Sequence, residues 1–241
     1  EIILPLWKEY GTDMFAKLDA EFAMIIYDAA SDSLVAARDP IGIRPLFYGY
    51  LEDGSIIFAS EAKNLVGLVH DVMPFPPGHY YADGKFTCYR DMTQVDAVCE
   101  DDLETVCTHI REKLIAGVEK RLDADVPVGF LLSGGLDSSV ITAVAARAYE
   151  EWGLPPLETY SFDYTDNQKH FHPSSFQPDA DWPWVERMRQ AFGTRHTVLT
   201  CSQQNLVDLL DAAVEAKDLP GMADLDSSLL YFCSRIREKH V

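Results

Sequence analysis

The chain has 241 residues, 47% of them hydrophobic, which is enough for one large packed core or two modest ones. Its formal net charge of −19 argues against a nucleic-acid partner, because a phosphate backbone is held by a basic excess that displaces counterions. No apolar run approaches the roughly 20 residues of a membrane span and nothing at the start resembles a signal peptide, so a globular, cytoplasmic protein is expected.

Five cysteines, Cys88, Cys99, Cys107, Cys201 and Cys233, are an odd number without CxxC pairs. That spacing predicts reduced thiols rather than a disulfide framework or a zinc site. The chain opens on Glu1-Ile2-Ile3-Leu4, already in a periodic apolar segment, and stops at His240-Val241 inside a helical pattern. Both features are expected of a piece cut from a longer protein.

The first hundred residues carry short strand patterns at 22–27, 34–37, 46–50, 56–59 and 79–81. Asp53-Gly54 and Asp83-Gly84 read as hairpin turns in which glycine accepts a positive φ. This part is expected to be an antiparallel β layer. From Asp101 the period becomes helical, with Leu103, Val106, Cys107, Ile110, Leu114, Val118 and Leu122 on one face. Asp101, Asp102 and Glu104 at its start and Lys120 and Arg121 at its end complement the helix dipole. A domain boundary is therefore expected near residues 92–100, dividing the chain into 1–95 and 96–241.

A strand over 126–132, a glycine loop and a helix over 138–150 come next. A strand at 159–163, a helix at 184–191, a strand at 196–199 and helices from Ser202 and Ser227 complete the pattern. Such alternation predicts an open, mostly parallel α/β sheet whose ligands sit at the carboxyl ends of its strands. The polar stretch 165–181, with Pro173 and Pro178, reads as a long loop.

The chemistry is concentrated in Ser133-Gly134-Gly135-Leu136-Asp137-Ser138-Ser139. A glycine turn between strand and helix brings backbone N–H groups close to phosphate oxygens, and the helix N-terminus adds positive potential. Ser133, Ser138 and Ser139 can add hydroxyl donors. The loop lacks the lysine of a Walker motif, since no lysine lies between Lys120 and Lys169. Asp137 stands in the loop instead and would repel phosphate unless a divalent cation, Mg2+, bridged the two. The arrangement suits cleavage between the α- and β-phosphates of ATP. The plain structural reading is a Gly-Gly turn before a serine cap.

The run Val128 to Ser139 resembles the signature of the N-type ATP pyrophosphatases, and its full form resembles that of asparagine synthetases. The resemblance implies that Leu132 lines an adenine site beside the loop. It also implies a second adenine contact at Tyr164, where the family usually carries a small aliphatic residue. Upstream, Ala37 to Tyr48, Phe58 to Lys63 and Pro77 to Tyr80 resemble three ordered segments of class II glutamine amidotransferase domains. The implied fold is the later part of an Ntn-type αββα glutaminase domain followed by the start of a synthetase domain of the adenine nucleotide α-hydrolase type.

In that amidotransferase class the nucleophile is an N-terminal cysteine, which Glu1 is not. No catalytic residue is therefore expected within these residues, and the nucleophile and glutamine-binding groups are expected upstream. A second acidic, glycine-rich segment is expected downstream. Arg38, Asp39 and Glu61 are read as ion pairs bracing the β layer. His170, His172, Asp179 and Asp181 lack the spacing of a metal site. Asp181 and Asp226 are read as helix N-caps. The segment Leu219 to Ser228 carries Asp224 and Asp226 and no arginine, where many asparagine synthetases have a stretch containing one that the resemblance places near the carboxylate substrate.

The expectation is a glutamine-hydrolysing asparagine synthase using ATP, aspartate and glutamine, with Mg2+ on Asp137, and the resemblance admits a homodimer. The nucleotide residues would be Leu132, Ser133, Gly134, Gly135, Leu136, Asp137, Ser138, Ser139 and Tyr164. Two alternatives stay open: a related amide-forming enzyme with another carboxylate acceptor, and an inactive structural or regulatory relative.

Overall fold

In the computed structural model, residues 1–95, 97–173, 175, 179–218 and 221–238 are described, the side chains of Gln168, Ala223 and Asp224 excepted. The chain divides into two units, Glu1–Cys99 and Glu100–Val241, each with its own cores.

The first unit is layered. Helix α1 (Ile3–Tyr10) runs into a 3₁₀ segment, Gly11–Lys17, that buries Met14 and Phe15. One sheet contains β1 (Ala23–Asp28), β2 (Ser33–Arg38), β6 (His79–Ala82) and β7 (Lys85–Cys88). The other contains β3 (Phe47–Tyr50), β4 (Ile56–Ala59) and β5 (Met73–Pro74). All of their pairings are antiparallel. The alternation of side chains along β2 sends Val35 and Ala37 toward α1, where they meet Leu6, Trp7, Phe15 and Phe22. Ala36 faces the other way, into a core with Leu46, Tyr48, Phe58, Phe75 and Phe86 from the second sheet and the β6–β7 hairpin. The order is helix, sheet, sheet, as an Ntn-type half-domain requires.

Both predicted glycine turns form. Asp83 and Gly84 adopt φ of 51° and 76° in the tight β6–β7 hairpin, and Gly54 has φ 84° after a turn closed by Gly54 N–H on the Leu51 carbonyl. Strands β5 and β7 were not expected. β5 has only two residues, one of them Pro74, and β7 is a short strand whose signal lay in the turn before it.

The second unit is a parallel sheet of β8 (Gly129–Leu131), β9 (Glu158–Tyr164) and β10 (Arg195–Cys201), order β10-β9-β8, with helices packed on both faces. It begins with α2 (Leu103–Glu119), whose N-cap Asp102 accepts from Thr105 N–H at 2.8 Å. The predicted apolar face of α2 is only partly used. Leu122 just beyond the helix is buried and Val118 packs with it against α3, while Leu103 and Ile110 stay 79% and 57% exposed. Within this unit Val118, near the end of the stripe, and Leu122 join α3 in one core.

Strand β8 is shorter than expected, Gly129–Leu131, because Pro127 has no N–H for a ladder and Val126 is exposed. Helix α3 (Leu136–Glu151), β9 (Glu158–Tyr164), the one-turn α4 (Asn167–His170) and α5 (Trp182–Phe192) follow. The stretch 165–181 is thus not all loop, and Pro178 within it lies outside the described residues. After β10 (Arg195–Cys201) come α6 (Gln203–Asp208), α7 (Leu210–Lys217) and α8 (Ala223–Arg237). Phe130, Leu157, Ala145 and Phe192 form the core on the α3 and α5 face. Tyr160, Leu199, Cys201 and Phe232 form the core under α8, where Phe162 and Phe232 stack at 4.0 Å.

Two predicted caps are corrected. Asp181 holds the N-cap position of α5 but in helical φ/ψ and with no side-chain cap bond. Helix α8 starts four residues before Ser227, with Met222 at its N-cap, so Asp226 lies in the first turn and pairs with Lys217 Nζ at 2.7 Å. Leu219 and Pro220 of that segment lie outside the described residues.

Ser202 does cap α6, in a reciprocal box: Asn205 N–H donates to its Oγ and Ser202 N–H donates to Asn205 Oδ1, both at 3.1 Å. Ser202→Ala should therefore lower stability by about 1 kcal/mol, read from the urea midpoint at unchanged slope.

Candidate functional site

The loop after β8 is built from backbone. Leu132 N–H donates to the Tyr160 carbonyl at 2.7 Å, extending the ladder, and the Leu132 side chain is fully buried. Gly134 then turns at φ 82° against the first turn of α5, where a Cβ would stand 2.7 Å from the Asp181 carbonyl oxygen and 3.1 Å from Trp184 Cβ. Gly135 is the N-cap of α3 with φ −69°, and a Cβ there would meet only Ser133 Oγ, at 3.5 Å. The two glycines therefore serve different ends: Gly134 allows close packing and Gly135 leaves open space before a helix N-terminus without a side-chain cap.

The serines close this turn on itself. Ser133 N–H donates to Ser138 Oγ at 3.2 Å, the two hydroxyls lie 3.0 Å apart, and Ser138 Oγ donates to the Gly135 carbonyl at 3.2 Å. Ser139 N–H joins the helix ladder on the same carbonyl at 3.1 Å. What the loop offers an anion is then the N–H groups of the first turn of α3, aided by the helix dipole.

A cleft of about 470 Å³ opens at the carboxyl ends of β8 and β9. Leu132, Ser133, Ser138 and Tyr164 line it together, along with Ser161, Trp182 and Val185. Gly134 and Gly135 form the turn at its edge. Leu136 and Asp137 line a different groove, between α2 and α3, whose other walls are mostly carbon, including Leu114, Val118 and Ile141. That groove is the larger, about 640 Å³, and Lys113 and Arg121 stand among its apolar walls, away from the strand ends and the glycine turn.

Tyr164 is held at the end of β9. Its hydroxyl donates to Ser228 Oγ at 2.9 Å and its ring meets the edge of Phe232 at 6.2 Å, which ties the cleft wall to α8. Asp137 is an exposed carboxylate in the first turn of α3. Among the described residues no three His, Cys, Asp or Glu side chains are grouped to hold a metal. A single carboxylate fits a magnesium ion shared with substrate phosphates, not a resident metal cage.

One group beneath the cleft was not foreseen. Thr159 and Ser161 of β9 point to the same face as His196 of β10, with Thr159 Oγ1 and Ser161 Oγ each 2.9 Å from a ring nitrogen of His196. The signal available in the sequence was the polar alternation Thr159, Ser161, Asp163 within a buried strand.

In the first unit Arg38 and Asp39 do brace the fold, but through backbone groups. Arg38 donates to the carbonyls of Arg44, Gly42 and Phe75 at 2.7–2.8 Å. Asp39, 1% exposed, accepts the N–H groups of Phe22, Ile41, Gly42, Ile43 and Arg44. Glu61 pairs with Lys63 at 3.2 Å on the surface. None of the five cysteines is joined in a disulfide among the described residues, and Cys201 is buried while the other four are exposed. No described helix is long and apolar enough to cross a membrane.

Two family descriptions match the chain: "Glutamine amidotransferase domain" over residues 1–85 and "Asparagine synthase" over residues 109–241. "Asparagine synthetase [glutamine-hydrolyzing] 3" of Bacillus subtilis is 37% identical over all of this chain and 44% of its own length. A protein named "Asparagine synthetase [glutamine-hydrolyzing] 2" from Arabidopsis thaliana is 34% identical over 89% of this chain and 36% of its own length. "Asparagine synthetase B [glutamine-hydrolyzing]" of Escherichia coli is 41% identical over 63% of this chain and 28% of its own length. The chain thus spans less than half of the length of these relatives. With a glutamine amidotransferase segment preceding a glycine loop on a parallel sheet, the chain belongs to the glutamine-hydrolysing asparagine synthetase family.

Proposed function

We propose that the protein carrying this chain makes asparagine from aspartate, ATP and glutamine, with residues 1–95 belonging to its glutaminase domain and 96–241 to its synthetase domain. The observation that carries this reading is the uncapped N-terminus of α3 behind Gly134 and Gly135, facing a cleft at the strand ends, in a chain of this family. In the synthetase step the β-carboxylate of aspartate attacks the α-phosphorus of ATP and pyrophosphate leaves. Ammonia released from glutamine then attacks the acyl carbon and expels AMP.

The first-turn N–H groups of α3 stabilise charge on the departing phosphates, a preorganised electrostatic contribution. Asp137, in the first turn of α3, would be the residue to hold Mg2+, which would supply positive charge against the same departing phosphates. Leu132 and Tyr164 frame the base, and Ser133 and Ser138 hold the turn in shape. The glutaminase nucleophile is not assigned to any residue here. Cysteines outside any disulfide are in keeping with a reducing, cytoplasmic setting.

A second reading rests on the start of α8. Asp226 is paired with Lys217, and the stretch 219–228 has no arginine where many asparagine synthetases carry one, so an acceptor acid other than aspartate is the alternative. Supplying the full-length protein with ATP, Mg2+, glutamine and a panel of carboxylic acids, and identifying the amide by mass spectrometry, separates the two. Asparagine as the main product supports the first reading, and amidation of another acid with none of aspartate overturns it.

A further inference from the structure

We infer that Ser161 is a specificity-determining residue of the nucleotide cleft, presenting an oxygen that can only accept, and that His196 is the positioning residue that makes it so. The inference rests on the ATP reading above and says how the cleft selects the base.

One chain of hydrogen bonds fixes where each proton lies. Thr159 Oγ1 donates to Thr194 Oγ1 at 3.0 Å. A hydroxyl has one proton, so toward His196 Nδ1, 2.9 Å away, Thr159 can only accept. Nδ1 therefore carries a proton. In a neutral imidazole Nε2 then has a lone pair and takes the proton of Ser161 Oγ, also at 2.9 Å. Burial favours this neutral ring by pushing the His196 pKa down, and Arg189 on α5 acts in the same sense against an opposing Glu186. Thr159 and Thr194 are both buried, so water does not compete for these groups.

With its proton engaged by His196, the Ser161 hydroxyl has only lone pairs left to offer a ligand in the cleft that this residue lines. Ser161 follows Tyr160, whose carbonyl receives Leu132 N–H, so it lies beside Leu132 and three residues before Tyr164. An oxygen restricted to accepting, set among groups that frame a flat apolar ring, selects a ligand edge that donates. The 6-amino group of an adenine donates, the 6-oxo group of a hypoxanthine accepts, and a purine without a 6-substituent does neither.

Calorimetric titration of the full chain with ATP, inosine triphosphate and purine riboside triphosphate tests this, for wild type, Ser161→Ala and His196→Gln. The wild type is expected to bind ATP more tightly than purine riboside triphosphate by on the order of 5-fold, the worth of one neutral hydrogen bond. Ser161→Ala should bring that ratio close to one by weakening ATP alone, with the far-UV spectrum unchanged. His196→Gln, whose amide places an N–H against Ser161, should also narrow the gap and raise the relative affinity for inosine triphosphate. ATP binding with a wild-type ratio near one, or a ratio unmoved in Ser161→Ala, overturns the inference and leaves the nucleotide reading standing. Failure of the wild type to bind any of the three overturns both.

Discussion

Gly134→Ala is expected to lower both the melting temperature and the affinity for ATP, whereas Gly135→Ala should lower the affinity alone. At Gly134 two penalties combine. An alanine would have to adopt φ 82°, which costs about 1 kcal/mol, and its Cβ would lie 2.7 Å from the Asp181 carbonyl oxygen. That oxygen already accepts Trp184 N–H at 3.0 Å and Val185 N–H at 3.1 Å, so it cannot retreat without disturbing the first turn of α5. A total loss of roughly 2–3 kcal/mol is expected. Gly135 has an ordinary φ of −69° and space around it, so alanine there leaves the fold intact and places a methyl group where a phosphate must approach. Melting curves with and without Mg-ATP separate the two effects. Equal melting temperatures for the two variants would contradict the packing account of Gly134, and undiminished ATP affinity in Gly135→Ala would contradict the phosphate account of the loop.

The largest loss of stability is expected from Asp39→Ala. Its two carboxylate oxygens receive five backbone N–H groups at 2.7–3.3 Å in a site only 1% exposed. Truncation leaves these donors without their anion and should cost about 3–5 kcal/mol, enough to unfold the first unit or bring it close to unfolding. Asn would rescue little, because either orientation of its amide turns a donor toward backbone donors. The carboxylate also makes a pH prediction. Burial alone would push its pKa up, and the bonds from Arg44, Ile43, Gly42 and Ile41 outweigh that, so the folded value lies below the ordinary 3.8. A depressed pKa means that this contribution is complete above pH 3.8 and is lost as pH falls through the folded value. Acid unfolding followed by circular dichroism should show the wild-type advantage over Asp39→Asn shrinking only in that acidic range. An advantage that instead disappears near neutrality would contradict the assignment.

Features set by contiguous pattern were legible from residues alone. The apolar run before Ser133, the two glycines and the following helix form one local unit, and the Asp-Gly pairs announce hairpins through their positive φ. Features set by distant partners were not. The start of α8 is fixed by Met222, a residue type that does not usually cap, and by the Lys217–Asp226 pair, so the nearby Ser227 misled. β5 exists only because Met73 and Pro74 lie against β3. The apolar stripe of α2 was legible as one face, but not that Leu103 and Ile110 on it stay exposed while Val118 and Leu122 pack into the core beside α3. Within the site, the strand-end position of Leu132 and Tyr164 followed from topology. The Ser161–His196–Thr159 chain joins residues 35 and 37 apart in sequence, which no short motif reveals.

Under the proposed function, the β8–α3 loop serves cleavage of ATP between its α- and β-phosphates. Phosphorus NMR of the full-length protein turning over ATP with Mg2+, aspartate and glutamine tests it most directly. AMP and pyrophosphate in equal amounts, matched by the asparagine formed, are the predicted products, and ADP with inorganic phosphate would contradict the claim.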